Sequence, residues 1–394
     1  MCLCQKPGSQ ATARGRRLKK HSGRLQMTTQ RLMMAMGLVA MMGAGCGQVG
    51  ADDADTFKQN AKICPYRNCG GAEEEPNGRG IHIATTKTPS TYGIHDSEID
   101  WWVTHFQQVG PDVKAVGWSK DGTGKLVQVA STPISASYRG NGYKLAGLQT
   151  INSMLIVSLL DPVTMKITQV TNLDVDGLVL TFDVTPVFPV RSQPKPVSLF
   201  FNSTDEKKSS GTSIFGYKIQ YLIKGAASKV DMCLNSDLTD EWNVFHTGAF
   251  FNPLTGVGTS GGNITNITCR TGAVATCMHW GYQPWASAFN KNSQQVESLE
   301  KYHQACIHMK RAAYIQADLT RTFTIEGTEI EINDPFDPPF HTSTMTKTEA
   351  YWTEAGATCV SDKRHPELID AATAPLLPMK CVGSESWLLQ SALP

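Results

Sequence analysis

The chain has 394 residues, of which 41% are hydrophobic, 18% charged and 8% aromatic. This composition is typical of a globular protein and excludes a coiled coil, a collagen-like repeat, a fully disordered chain and a multi-span membrane protein. The formal charge of +1 conceals an asymmetry, because residues 1–31 hold eight Lys and Arg and no acidic residue. The rest of the chain is acidic, with 28 basic and 35 acidic residues. An acidic body argues against a general nucleic-acid-binding protein.

Residues 1–45 are predicted to be a signal peptide, with Met27 as an alternative start. A basic region is followed by an apolar run of 14 residues, 32–45, which is shorter than the about 20 residues that span a bilayer. The run ends in Gly43-Ala-Gly-Cys46, which resembles a bacterial lipoprotein box. Cys46 is therefore the predicted lipidation site, and ordinary cleavage after Ala51 is the alternative. We expect a cell-envelope protein: an outer-membrane lipoprotein held by its N-terminal lipid, or a secreted or periplasmic protein.

Eight cysteines remain after the predicted signal and the lipidation site are set aside. An even number of cysteines in an exported chain predicts disulfide bonds, but eight cysteines allow 105 pairings. Proximity in the sequence favours only a local Cys64–Cys69 bond. The eight disulfide candidates are Cys64, Cys69, Cys233, Cys269, Cys277, Cys306, Cys359 and Cys381.

The mature chain divides into three predicted parts. Residues 46–80 are an acidic, Gly-rich tether. Residues 81–230 contain short apolar strands separated by Gly and Asp turns, which predict a sandwich- or barrel-like β domain. Residues 231–394 are rich in cysteine and predict one principal helix, capped by Asn292 or Ser293, together with β-hairpins. The fold class is therefore mainly β, or α+β, with a disulfide-stapled C-terminal part.

The strands predicted in the β domain are Val113–Trp118, Lys125–Ser131, Met154–Leu160, Lys166–Val170, Leu178–Val184, Val197–Phe201 and Ile214–Ile223. In the C-terminal part, one hairpin is predicted from Thr322–Glu326 and Glu329–Asp334. A second is predicted from Glu349–Thr353 and Ala357–Ser361.

The cysteine-rich part resembles the ADYC domain family of exported bacterial proteins. The resemblance is carried by the segments Cys277–Trp285, Tyr302–Tyr314, Thr324–Asp334 and Ala350–Cys359. The Ala-Asp-Tyr-Cys motif that names the family falls on Ala312, Ala313, Tyr314 and Ile315, so its Asp and Cys are missing. The resemblance implies a secreted, disulfide-rich module and no particular reaction.

Two groups of residues suggest hydrolysis. Ser260 lies in a G-x-S-x-G pattern, but a nucleophile elbow requires a helix after the serine, and the residues that follow are β-prone. His303, Cys306 and His308 share one predicted helix, where a buried structural role is the more common one. Together with Cys277 and His279, these residues suggest a zinc site, which disulfide formation in an oxidising compartment disfavours. We therefore expect no catalytic residue, no metal and no cofactor.

Tryptophans are the remaining candidates for a binding surface, because their flat faces stack on sugar rings. Core packing is the more common use of Trp242, Trp280, Trp285, Trp352 and Trp387. Trp101 and Trp102 are candidate ligand-facing residues, because neighbours on a strand face opposite sides. The sequence thus predicts a non-catalytic binding or structural module of the cell envelope, whose partner is an envelope protein or a glycan. A secreted hydrolase is the alternative.

Overall fold

The computed structural model of the chain describes residues 101–393. It leaves out short gaps at 122, 124–125, 186–192, 210–211, 234–241, 253, 271, 325–327, 329, 342, 344–346 and 384–385. The predicted signal peptide, the tether, Cys46, Cys64 and Cys69 all lie outside the described residues.

Residues 101–269 form one large sheet, which curls into a half-barrel. Its main path runs in the order β3-β2-β1-β13-β12-β10-β9-β8-β4-β5-β6-β7, and β11 pairs with β10. The strands are β1 (Trp101–Val109), β2 (Asp112–Lys120), β3 (Leu126–Pro133), β4 (Ser135–Tyr138), β5 (Asn141–Ile151), β6 (Met154–Leu160), β7 (Ile167–Val170), β8 (Leu178–Val184), β9 (Lys195–Ser209), β10 (Thr212–Ile223), β11 (Val230–Asp231), β12 (Asn243–Phe251) and β13 (Gly258–Cys269).

The mainly β fold class is confirmed, and the predicted strands appear where the local pattern placed them. β6 and β8 begin and end at the predicted residues. On β6, Leu155, Val157 and Leu159 are buried while the residues between them are half-buried. This alternation is the period-2 pattern of a strand with one face on a core.

A second core lies on the other side of β10 and β12 and joins them to the C-terminal elements. On β12, Phe245 belongs to the core of the half-barrel, whereas its neighbour Val244 belongs to the second core. The C-terminal elements are α1 (Ala273–His279), β14 (Ala288–Phe289), β15 (Gln295–Val296), α2 (Glu300–Lys310), β16 (Glu331–Asn333), β17 (Lys347–Thr353), β18 (Gly356–Val360) and β19 (Leu389–Leu393). β12 is therefore buried on both faces.

The predicted principal helix is present as α2, but its predicted start was wrong. The residue before its first turn is Leu299, not Asn292 or Ser293. Residues 290–294 instead form a turn between β14 and β15, in which the side chain of Asn290 accepts hydrogen bonds from the N–H groups of Asn292 and Gln294. The residues that the capping rule selected therefore form a local turn and not the start of a helix.

Of the two predicted C-terminal hairpins, one is confirmed. β17 and β18 pair through a turn that ends at Gly356. In the other predicted hairpin, β16 pairs with β19 at the end of the chain, and residues 322–324 are not in a strand. The sheet order β16-β19-β17-β18 places the last strand of the chain in the middle. No helix of the described residues is long and apolar enough to cross a membrane.

Candidate functional site

Six of the predicted disulfide cysteines are bonded in pairs. Cys233–Cys269 closes the segment that leads into β12, Cys277–Cys306 joins α1 to α2, and Cys359–Cys381 ties the C-terminal tail to β18. Their Cα atoms lie 5.7, 5.8 and 4.9 Å apart, within the range of ordinary disulfides. The structure thus selects three pairings that cysteine counting alone left open.

The candidate residues for hydrolysis are not arranged as a nucleophile with an adjacent base. The sulfur of Cys306 is bonded to Cys277, so it is not available as a thiolate nucleophile. Ser260 lies inside β13, opposite Ala249, and not at a turn from a strand to a helix. His303 is buried, with Nε2 2.9 Å from the carbonyl oxygen of Val274, and His308 is buried at a different side of α2.

The Cys277–Cys306 disulfide also changes the set of candidate zinc ligands. Cys277 and Cys306 are bonded to each other and are not thiolate ligands. Within the part of the chain that the structure describes, no group of three or more His, Cys, Asp or Glu side chains is placed to hold a metal ion.

Trp101 is a core residue and not a ligand-facing one. Its side chain is 1% exposed and packs edge-on against Phe182, with ring centroids 6.0 Å apart. The curl of the half-barrel encloses this end of β1, a tertiary effect that strand alternation does not reveal. The side chain of Trp102 lies outside the described residues.

A row of polar side chains crosses three neighbouring strands of the half-barrel. His105 on β1 is directly opposite Asn266 on β13, which is directly opposite His246 on β12. We call these three residues the polar row. The next residues along each strand, Phe106, Ile267 and Phe245, enter the core of the half-barrel, so the polar row lies on the other face. All three polar side chains are nevertheless buried.

Aromatic rings cover the polar row. His246 is stacked on His303 of α2 with ring centroids 5.9 Å apart, and it lies 6.2 Å from the ring of Trp285 and 5.6 Å from that of Phe251. At the other end of the row, His105 contacts the ring of Phe250 on β12.

The end of the β12–β13 hairpin bends over the row. The register shifts between Thr247 and Gly248, and Gly248 has φ +99°, a conformation that favours glycine. Beyond this bulge, the ring of Phe250 lies 4.9 Å from that of His105. Gln304 of α2 holds the bent hairpin by donating to the carbonyl of Gly256 and accepting from the N–H of Gly258.

Burial keeps the histidines of this site uncharged. Desolvation lowers the pKa of His105 to about 4 and that of His303 to about 4. It lowers the pKa of His246 to about 3, and repulsion from His303 acts in the same direction. At neutral pH each ring therefore offers one hydrogen-bond donor and one acceptor without a charge.

Several polar atoms at this site have no hydrogen-bond partner among the described residues. They are both side-chain atoms of Asn266, Nδ1 of His246 and Nε1 of Trp285. A buried polar group without a partner costs about 1–3 kcal/mol, and folded proteins usually satisfy such groups with water or a bound molecule. The site therefore holds unsatisfied hydrogen-bonding groups of an amide, a neutral imidazole and an indole.

A second buried cluster contains Tyr314, one of the two residues of the family motif that the chain retains. The hydroxyl of Tyr314 donates to Glu349 Oε1 at 2.6 Å, and Arg364 donates to both carboxylate oxygens of Glu349 at 3.0 and 2.9 Å. Arg364 also donates to the carbonyls of Met309 and Lys310, at the C-terminal end of α2, where a positive charge is favourable. This cluster is saturated with partners, so it locks α2 to β17 and is not a binding site.

Sequence reasoning did not find the polar row. Its residues come from distant points of the chain and form no spaced motif. Trp285 was considered for binding but assigned to core packing, and it is half-buried beside His246. The one available signal is a polar residue within a β-prone stretch, such as Asn266 between Thr265 and Ile267.

Comparison with known proteins assigns part of the half-barrel and most of the C-terminal elements to a family. The comparison with curated proteins and the comparison with solved structures found no match. Residues 171–366 match the family model described as the ADYC domain. This range holds the whole of α1 and α2, the buried Tyr314–Glu349–Arg364 cluster, and Asn266 and His246 of the polar row. Over residues 171–366, the chain belongs to the ADYC domain family.

Proposed function

We propose that this chain is an exported, lipid-anchored protein of the bacterial cell envelope that acts by binding and not by catalysis. The signal-like N-terminus and Cys46 support export and anchoring. The three disulfides of the described residues are compatible with an oxidising compartment outside the cytoplasm. The bonded state of Cys306 and the strand position of Ser260 count against the hydrolase alternative.

The observation that carries the binding role is the set of unsatisfied atoms on the polar row. Asn266 is fully buried between two neutral imidazoles, and the amide offers both a donor and an acceptor. These three side chains carry no charge at neutral pH, so a charged ligand would lose its hydration with no compensating charge from them. The chemistry therefore favours an uncharged ligand with several hydroxyl or amide groups, and an envelope glycan is such a ligand.

The test is a binding titration of the full chain with neutral oligosaccharides prepared from the bacterial envelope. The variant is Asn266→Leu, which keeps the side-chain shape and removes the amide. Asn172→Leu is the matched control, because Asn172 is also buried with both side-chain atoms unpartnered and lies outside the polar row. We expect the first variant to lose at least tenfold in affinity and the second to bind like the wild type. Equal affinities in all three proteins, or no binding by the wild type, would contradict the proposal.

A further inference from the structure

The loop between β6 and β7, residues 161–166, carries large apolar side chains into solvent. Val163 is 89% exposed and Met165 is 66% exposed. Ile167, the first residue of β7, is 59% exposed beside them. We call these three residues the apolar tip. Solvent-exposed apolar groups clustered at one end of a strand pair mark a surface that meets another phase or molecule.

The loop is held in one conformation. The carboxylate of Asp161 accepts hydrogen bonds from the N–H groups of Val163 and Thr164, at 2.8 and 3.1 Å. The N–H of Met165 donates to the carbonyl of Asp161 at 2.7 Å, and the N–H of Asp161 donates to the carbonyl of Lys166 at 2.8 Å. Met165 has φ +58°, a strained conformation for a residue with a side chain. The exposure of the apolar tip therefore follows from a defined, hydrogen-bonded loop conformation.

Basic side chains border the apolar tip. Lys166 lies within the loop, and Lys144 on β5 is paired with Leu160, which is itself paired with Ile167. Both lysines are exposed. The carboxylate of Asp161, which accepts hydrogen bonds from backbone N–H groups, adds one negative charge beside the two lysines. The net charge of these three groups is therefore positive.

We propose that the apolar tip inserts into the interface of an acidic phospholipid membrane. A stable protein interface buries roughly 800 Å² on each partner, which is far more than one hairpin tip offers. A small apolar projection bordered by two lysines suits a membrane, because the apolar side chains enter the acyl boundary while the lysines meet anionic headgroups. This surface is independent of the polar row and of Cys46.

Leu173 provides a matched control within the same protein. It is 78% exposed, comparable to the apolar tip, and lies near the opposite end of β7. Its neighbours Asp174 and Asp176 are acidic and exposed. Val163 and Leu173 are therefore similarly exposed. The charge beside Leu173 is negative, whereas the net charge beside the apolar tip is positive.

The experiment places an environment-sensitive dye on Val163→Cys or on Leu173→Cys in the full chain. The labelled proteins are mixed with vesicles of phosphatidylethanolamine and phosphatidylglycerol that also contain nitroxide-labelled lipid. We expect a blue shift and quenching of the dye at position 163 and neither change at position 173. Adding Lys144→Glu and Lys166→Glu, or using pure phosphatidylcholine vesicles, should weaken the signal at 163 about tenfold or more, because both changes remove the charge attraction.

Water-like emission at both positions would overturn the proposal and would leave a protein partner as the occupant of the tip. Equal blue shifts at both positions would overturn it as well, because insertion would then not be specific to the tip. An unchanged signal at 163 after the lysine substitutions would overturn the role of the acidic lipid. The expected result does not require a lipid on Cys46. Failure of this test can therefore be distinguished from failure of the anchoring proposal.

Discussion

Asn266 combines a structural cost with a proposed binding role. Its amide is buried with no partner among the described residues, so removing the amide relieves a desolvation cost in the ligand-free protein. We expect Asn266→Leu to raise the free energy of unfolding by about 1–2 kcal/mol while it abolishes binding, as stability and function often conflict at a site. Urea denaturation without added ligand measures this. A destabilised variant would instead mean that the amide is already satisfied, for example by bound water.

The buried histidines make stability depend on pH. Burial lowers the pKa of six histidines to between about 3 and about 4, namely His105, His246, His279, His303, His308 and His341. In the unfolded chain each takes up a proton near pH 6.5. Their contribution is therefore fully present above about pH 6.5 and is lost as the pH falls toward 4. Asp334, whose pKa burial raises to about 6, offsets part of this loss.

We predict that the free energy of unfolding falls as the pH is lowered from about 7 to about 4. Each shifted histidine contributes up to about 1.4 kcal/mol per pH unit in that window. His246→Phe should flatten the curve, because the ring is kept while one titrating group is removed. Denaturation curves across this pH range check the slope. A stability that is constant or rises on acidification would show that the histidines are not buried and neutral.

At the scale of elements, α2 is held by a disulfide near its middle and by a buried ion pair at its C-terminal end. Cys306 is bonded to Cys277 of α1, and both cysteines are fully buried. Replacing both with Ala should lower the free energy of unfolding by about 3–4 kcal/mol from the closed loop alone, with a further loss from the cavity. The matched control is Cys359→Ala with Cys381→Ala, since Cys381 is only half-buried and should leave a smaller cavity. Equal losses for the two pairs in urea denaturation would contradict this ranking.

The C-terminal end of α2 is held by the buried ion pair of Arg364 with Glu349. Removing one partner leaves a buried charge without compensation, which costs about 3–5 kcal/mol. We therefore expect Glu349→Leu to be strongly destabilising and the double variant with Arg364→Met to recover much of the loss. Thermal or urea denaturation of the two single variants and the double variant checks this. If the losses were simply additive, the pair would not act as a unit.

The elements also show which kinds of structure a sequence reveals. β6 and β8 were predicted to the residue, because an alternating apolar pattern is local information. The partner of β16 was missed, because β19 lies some sixty residues further along the chain. The start of α2 was missed because the side chain of Asn290 favours a turn that competes with a helix cap.

At the scale of the whole molecule, the residues that the structure describes form two cores that share β10 and β12. The strand pattern and the cysteine count predicted a mainly β, disulfide-bonded protein, and the structure confirms both features. The polar row could not be predicted, since His105 and His246 meet only through the non-local pairing of β1, β13 and β12. Signal and lipid predictions concern residues outside the described range and remain predictions.

An intact mass tests export, lipid anchoring and disulfide bonding most directly. The protein is purified from the membrane fraction, alkylated without reduction and weighed by mass spectrometry. We predict a chain that begins at Cys46, carries a diacylglyceryl group and has no alkylated cysteine. A full-length N-terminus together with alkylated cysteines would contradict export, anchoring and disulfide bonding at once.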